Sequence, residues 1–306
     1  MPMNELDYRG LAALDAVVDY GSFDKAAAAL AITQSAVSQR LRMLENQRGE
    51  RLIVRSQPPR ATDAGQRLIA HYRQVRLLEA ALARHPGQGD SRPEIAIAAN
   101  ADSAATWLQE AVAPVIASDA CLLDIRLDDQ DHTLDLLREG RVYGCVTSET
   151  SRVAGTTATA LGAMRYLCVA SPGFAQRWFA DGFTAAAVTR APALLFDRKD
   201  ALLARYLLQR FGQPQAYPHH SLSSSDGFVR FAEAGLVYAM VPALQCAQAL
   251  AAGRLVDLTP GDGLDVPLIW HRWDIETPLT RRLSDSLVDT ARTWLQPDFS
   301  VPPPRL

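Results

Sequence analysis

Between Tyr8 and Asn46 the chain carries three short helical patterns joined by tight turns, and that triplet restricts the N-terminal region to a small helical unit. Leu11, Leu14, Val17 and Val18 recur at i, i+3, i+6 and i+7, one face of a helix over Tyr8 to Tyr20 that Gly21 stops. Ser22 then caps a second helix, Phe23 to Leu30, whose alanines permit close packing. Thr33 can accept an orphan N–H and cap a third, Gln34 to Asn46.

On a wheel of about 100° per residue, Val37, Leu41 and Leu44 of the third helix share a narrow sector, opposite Gln34, Ser35, Ser38, Gln39 and Arg42. The first group is expected to pack. The second has the chemistry to read base edges in a major groove, where Gln pairs with adenine, Arg with guanine and Ser with either. A plain amphipathic helix is also polar outside, so the neighbouring segments separate the two readings. Arg51 to Arg55 reads as a short strand, Ser56-Gln57-Pro58-Pro59 as a stiff turn and Arg60-Ala61 as a returning strand. This is a wing, and Arg55 and Arg60 beside its tip suit phosphate or minor-groove contact. Thr62 is placed to cap the next helix. Charge agrees once it is divided by region: the net value is −3, yet Arg40 to Arg76 holds nine arginines against three acids, a local +6, leaving −9 on the remainder. Double-stranded DNA is the expected partner of this unit.

The run Gly21-Ser22-Phe23, Ala26-Ala27, Leu30, Thr33 to Leu41 and Leu44-Glu45, followed by Arg51-Leu52, Arg55 and Thr62-Asp63-Ala64-Gly65, resembles the DNA-binding domain of LysR-type transcriptional regulators. The resemblance covers residues 1 to 85. It implies a winged helix-turn-helix over 1–61, with Gln34, Ser35, Ser38, Gln39 and Arg42 facing DNA and Arg55 and Arg60 on the backbone. Ser35 stands where many members carry proline.

From Asp63 to about Arg84 there is no proline, and Leu68, Val75 and Leu82 repeat every seven residues, with Tyr72 and Leu78 between them. Such a stripe suits a second copy, although a helix docked on its own domain is the other reading. Pairing two copies presents two recognition helices to a palindromic site. In LysR-type proteins the corresponding helix, here 62–85, forms the dimer, so a homodimer that pairs further into a tetramer is expected. His85 to Pro93 then reads as a flexible hinge, 86–92.

Beyond Pro93, β-rich runs alternate with helical ones: Glu94 to Ala99, Leu122 to Leu127, Val142 to Val146, Tyr166 to Ala170, Leu194 to Phe196, Leu236 to Val241 and Pro267 to Trp273. The expected class is α/β, with parallel sheets and crossover helices. Ligands in such sheets bind beyond the carboxyl ends of the strands. Asn100-Ala101-Asp102-Ser103, Thr147-Ser148-Glu149 and Ser223-Ser224-Ser225-Asp226 lie at such ends, and ordinary helix capping is the plainer reading of each. By the family resemblance, 93–306 is an effector domain like a periplasmic binding protein, with lobe I over 93–162 plus 267–300 and lobe II over 163–266.

A narrower resemblance rests on Asp7-Tyr8-Arg9, Pro58-Pro59-Arg60, Asn100 to Ser103, Thr106-Trp107-Leu108, Ser224-Ser225-Asp226, Asp257 to Gly261 and Trp270-His271-Arg272. These are similar to the branch of the family that responds to L-arginine or L-lysine and controls export of basic amino acids. Asp226 stands where glutamate is familiar. A basic amino acid needs carboxylates for its cations and N–H or hydroxyl donors for its own carboxylate. Asp102, Asp128 and Asp226 can supply the first, Ser103, Ser224 and Ser225 the second, and Asn100 and Thr147 complete the expected effector set.

Other classes find little support. No G-x-S-x-G, H-E-x-x-H, phosphate-binding loop or dinucleotide fingerprint occurs, so catalysis and a cofactor are not expected. Cys121, Cys145, Cys168 and Cys246 lie far apart, and His219-His220 follows Pro218 in an expected loop, so no metal site is read. The chain starts without a basic segment leading into an apolar run, and nothing in it approaches the roughly 20 apolar residues that span a bilayer. A cytoplasmic location without membrane contact is expected, with RNA polymerase as a further partner. A ligand-independent DNA-binding protein, or a LysR-type regulator with a different effector, are the alternatives.

Overall fold

The carboxylate of Asp7 accepts the Arg9 N–H at 3.0 Å and starts α1 (Tyr8–Asp19). The computed structural model describes residues 6–82, 92–118, 121–127, 130–151 and 153–297. Ser22 caps α2 (Phe23–Ala29) and Thr33 caps α3 (Gln34–Arg48). Gly21, at φ +61°, makes the left-handed turn between the first two helices. Leu11, Leu14, Val17, Ala26, Val37, Leu41 and Leu44 close on one another as a core. The wing is an antiparallel pair, β1 (Ile53–Val54) and β2 (Arg60–Ala61). Its first strand is shorter than expected because the Leu52 N–H is taken by the Glu45 carboxylate at 2.9 Å.

The linker helix α4 (Asp63–Leu82) is capped by Thr62, whose hydroxyl accepts the Gly65 N–H at 3.2 Å. Its apolar stripe is divided. Leu68 and Ile69 belong to the reader core, Tyr72 packs at the edge of that core, Leu77 packs against the sensor core, and Leu78 is exposed. Docking on the home domain therefore uses part of the surface that the heptad reading reserved for a second copy. Arg73 fixes the helix further, pairing with Asp15 at 2.6 Å and Asp19 at 3.3 Å on α1. The Leu82 side chain, Arg84 and the hinge residues before Arg92 lie outside the described residues.

The sensor begins with β3 (Glu94–Ala99), α5 (Ala101–Thr106), α6 (Leu108–Ala117), β4 (Leu122–Leu127), α7 (Gln130–Arg138) and β5 (Gly144–Thr147). The chain then runs through β6 (Thr156–Ala170), α8 (Pro172–Trp178), α9 (Ala185–Val188), β7 (Ala193–Leu195), α10 (Leu202–Phe211) and β8 (His219–Ser221). It ends with α11 (Ser225–Glu233), β9 (Ala239–Pro242), α12 (Ala243–Ala251), β10 (Val256–Asp257), β11 (Leu264–Trp273) and α13 (Pro278–Trp294). The main sheet has the order β10-β6-β11-β5-β3-β4, with β9 also on β6, and β7 and β8 pair separately.

The expected parallel pairing holds between β3 and both β4 and β5, and between β7 and β8. It fails at the centre and also on the far side of β6, where β9 and β10 pair with it antiparallel. The chain crosses to the other half of the sensor along β6 and returns along β11, so these long strands pair antiparallel, as β11 does with β5. Their register shifts between Leu268 and Ile269, beside Gly162 at φ +123°; a Cβ there would lie 2.8 Å from the Gln296 carbonyl. The expected loop at His219-His220 is instead β8, stabilised by its backbone ladder while its side chains stay exposed. All four cysteines are free and buried. Among the described residues no helix is long and apolar enough to cross a membrane.

Candidate nucleic-acid interface and effector cleft

On α3, Gln34, Ser35, Gln39 and Arg42 are exposed on one side of the reader, and Arg55 and Arg60 are exposed at the wing. Ser38 departs from the expected reading face. It is only 9% exposed, and its hydroxyl accepts the Gln34 side-chain amide at 3.4 Å. Three residues before Leu41, it lies at the flank of the apolar sector and turns inward. The Ser35 hydroxyl is 2.9 Å from that of Thr33 and shares the capping network. Of the nine clustered arginines, Arg73 is spent on α1, where burial nevertheless pushes the Asp15 carboxyl up against the lowering effect of that guanidinium.

In the sensor, a cavity of about 210 Å³ opens between α5, the loop after β7, and the α11 and α12 helices. Asp102 is one of the three aspartates that line it. One oxygen accepts the Tyr166 hydroxyl at 2.6 Å and the other accepts the Ser225 hydroxyl at 2.5 Å. Burial pushes the Asp102 carboxyl above its ordinary 3.8, while the two hydroxyl donors oppose that rise. The Tyr166 phenol is pushed well up, by burial first and by the neighbouring carboxylate second.

The other expected effector residues divide. Asn100 lines the cavity and caps α5, its Oδ1 accepting the Ser103 N–H at 3.1 Å, and its Nδ2 is buried without an acceptor among the described residues. Ser103 is fully buried behind it. Thr147 is also buried, and its hydroxyl accepts the Glu149 N–H at 3.2 Å; Ser148 is the part of that loop that reaches the cavity. Ser224 caps α11 through the Gly227 N–H. Asp226 is exposed and absent from the lining, because the first turn of α11 aims it outward. It meets the cavity only through Gln245, whose amide donates to it at 3.2 Å. Asp128 lies outside the described residues.

Sequence reasoning missed the far wall. Asp197, Lys199, Asp200 and Arg205 line it. Asp197 accepts the Lys199 and Asp200 N–H groups at 2.7 and 3.0 Å, and Asp200 accepts those of Phe196 and Leu202, each at 2.9 Å. The available signal was Asp-x-x-Asp before a helical run. That is common turn and cap chemistry, silent about a cavity.

A winged helix-turn-helix joined by one helix to an α/β domain with a charged cleft defines a DNA-binding regulator with a small-molecule sensor. The chain belongs to the LysR family: residues 8–66 match the bacterial regulatory helix-turn-helix protein, lysR family, and residues 88–292 the LysR substrate binding domain. This is a family of transcriptional regulators and not of enzymes. The chain is 45% identical to the HTH-type transcriptional regulator ArgP of Aeromonas salmonicida, over 96% of this chain and 100% of that one. It resembles the crystal structure of ArgP from Mycobacterium tuberculosis at 43% identity and TM-score 0.86, covering 95% and 99% of the two chains. It is also similar to full-length LysG from Corynebacterium glutamicum with bound effector Arg, at 35% identity and TM-score 0.79, covering 95% and 100%. The narrower branch read from the sequence is thus that of ArgP and LysG.

Proposed function

We propose that the chain is a transcriptional regulator whose effector is a basic amino acid, L-arginine or L-lysine, and whose target is a gene for basic amino-acid export. The observation that carries this reading is the Asp102 carboxylate, set in a cavity that Asp197 and Asp200 also line, in a chain similar to an arginine-bound relative. A cationic group of the effector pairs with Asp102, and the buried Nδ2 of Asn100 and the Arg205 guanidinium donate to its carboxylate.

The reader, 1–61, binds a double-stranded operator with Gln34, Ser35, Gln39 and Arg42 at base edges and Arg55 and Arg60 on phosphates. The helix 62–85 pairs two copies, a hinge follows at 86–92, and 93–306 forms the effector domain with the lobe limits given above. Dimers pair into tetramers in the cytoplasm, with RNA polymerase as a further partner. Effector binding shifts the balance between two arrangements of the lobes, and so the spacing of the recognition helices. Calorimetry with each amino acid, beside footprinting upstream of the neighbouring gene, tests the reading. Saturable heat and a changed footprint are expected. Absence of heat and of thermal stabilisation by either amino acid sinks it, leaving a different effector or none.

A further inference from the structure

We infer that the Ser225–Asp102 hydrogen bond is a clasp joining helix α5 to helix α11 across the cavity, and that the effector acts by putting its own cation in the place of Ser225. The inference rests on the basic-amino-acid reading above for the identity of the incoming group, but not for the clasp. Asp102 lies in the first turn of α5 and Ser225 is the first residue of α11, so the bond joins helices 123 residues apart.

Three features suit it to exchange. The other Asp102 oxygen is held by Tyr166, which is buried in β6 and stays in place when Ser225 leaves. Asp197 and Asp200 already accept backbone N–H groups of their own loop, whereas the partner of Asp102 on the α11 side is a single neutral hydroxyl. A cation makes the stronger, charge-assisted bond there. Finally, Ser225 has somewhere to go. A hydroxyl carries one proton, and Gln245 Oε1 stands 3.2 Å from Ser225 Oγ as a second acceptor, oriented by the bond from Gln245 Nε2 to Asp226. Release of the clasp therefore leaves no buried hydroxyl unpaired. Asp226 is in this arrangement a positioning residue for Gln245.

The test uses the full-length protein. Hydrogen exchange without ligand is compared between wild type, Ser225→Ala and Ser225→Thr, and L-arginine and L-lysine are titrated into each and into Asp102→Asn. The clasp predicts roughly tenfold faster exchange of α5 and of the first turn of α11 in Ser225→Ala, with wild-type rates in Ser225→Thr, which keeps the hydroxyl. Loss of the competing hydroxyl also makes the binding amino acid roughly tenfold tighter in Ser225→Ala, and Asp102→Asn loses binding. Unchanged exchange in Ser225→Ala, or equally fast exchange in Ser225→Thr, overturns the clasp. Weaker amino-acid binding by Ser225→Ala makes Ser225 a ligand contact and overturns the replacement, as does wild-type affinity in Asp102→Asn. If wild type binds neither amino acid while Ser225→Ala exchanges faster, the effector reading falls and the clasp stands.

Discussion

Gly140, in the turn after α7, lies directly against Ala70 of the linker helix: a Cβ placed on this glycine would come within 2.4 Å of the Ala70 Cα. Its φ of +65° adds a second reason for glycine. Gly49 has a similar φ of +71° but open space around it, so the pair separates strain from contact. Gly49→Ala is expected to cost about 1–2 kcal/mol of backbone strain. Gly140→Ala should cost distinctly more and loosen the seat of α4 on the sensor. Urea unfolding of both variants measures the difference, and equal losses would remove the contact from the account.

At the reader, Arg42→Ala or Gln34→Ala should reduce discrimination between operator and scrambled DNA by about 1–3 kcal/mol per lost base contact. Arg55→Ala should weaken both DNAs alike and flatten the salt dependence. Ser38→Ala, removing a buried hydroxyl, should leave discrimination intact. Binding isotherms over a range of salt distinguish these results; a specificity change in the Ser38 variant would return that residue to the interface.

Arg73 belongs to the basic segment by sequence and to the scaffold by geometry. Arg73→Ala strands the largely buried Asp15 carboxylate, and an expected loss of about 1–3 kcal/mol in stability follows. The salt slope of DNA binding should not change, in contrast to Arg55→Ala. A reduced slope with unaltered stability would place Arg73 on DNA.

The raised pKa of Asp102 has a definite sign. Because the folded value lies above the ordinary 3.8, this group favours folding most at low pH, and that contribution fades as pH rises through the raised value. Binding of a cation requires the ionised form and runs the other way. Affinity for the amino acid should fall on acidification, beginning at a higher pH than an ordinary aspartate would give. Calorimetry at successive pH values on wild type measures this, and a pH-independent affinity down to the ordinary aspartate range contradicts it.

Much of the reader was legible because its signals are local. Ser22 and Thr33 announce helix starts within a few residues of what they cap, and the spacing of Val37, Leu41 and Leu44 already describes a buried face. The sensor was legible in its elements but not in their pairing. Nothing near β6 or β11 states that the chain crosses the domain on one and returns on the other, since direction within a sheet is a property of distant partners. The cleft shows the same division. Asp102 and Ser225 stood out as polar residues at helix starts, whereas Tyr166 reads as one more aromatic in an apolar strand until the fold brings its hydroxyl to Asp102. Asp226 misled for a related reason: one step along a helix turns a side chain by about 100°, enough to move it from the cleft to solvent.

The reader core is drawn from residues no later than Tyr72, while the effector cleft needs Asp102 and Ser225 together. During synthesis the core of the DNA-binding unit is thus complete long before the residues of the cleft have emerged. On the effector reading proposed above, each new molecule acquires its grip on the operator first and its obedience to the effector last, and a chain cut short between the two is a binder that cannot be instructed.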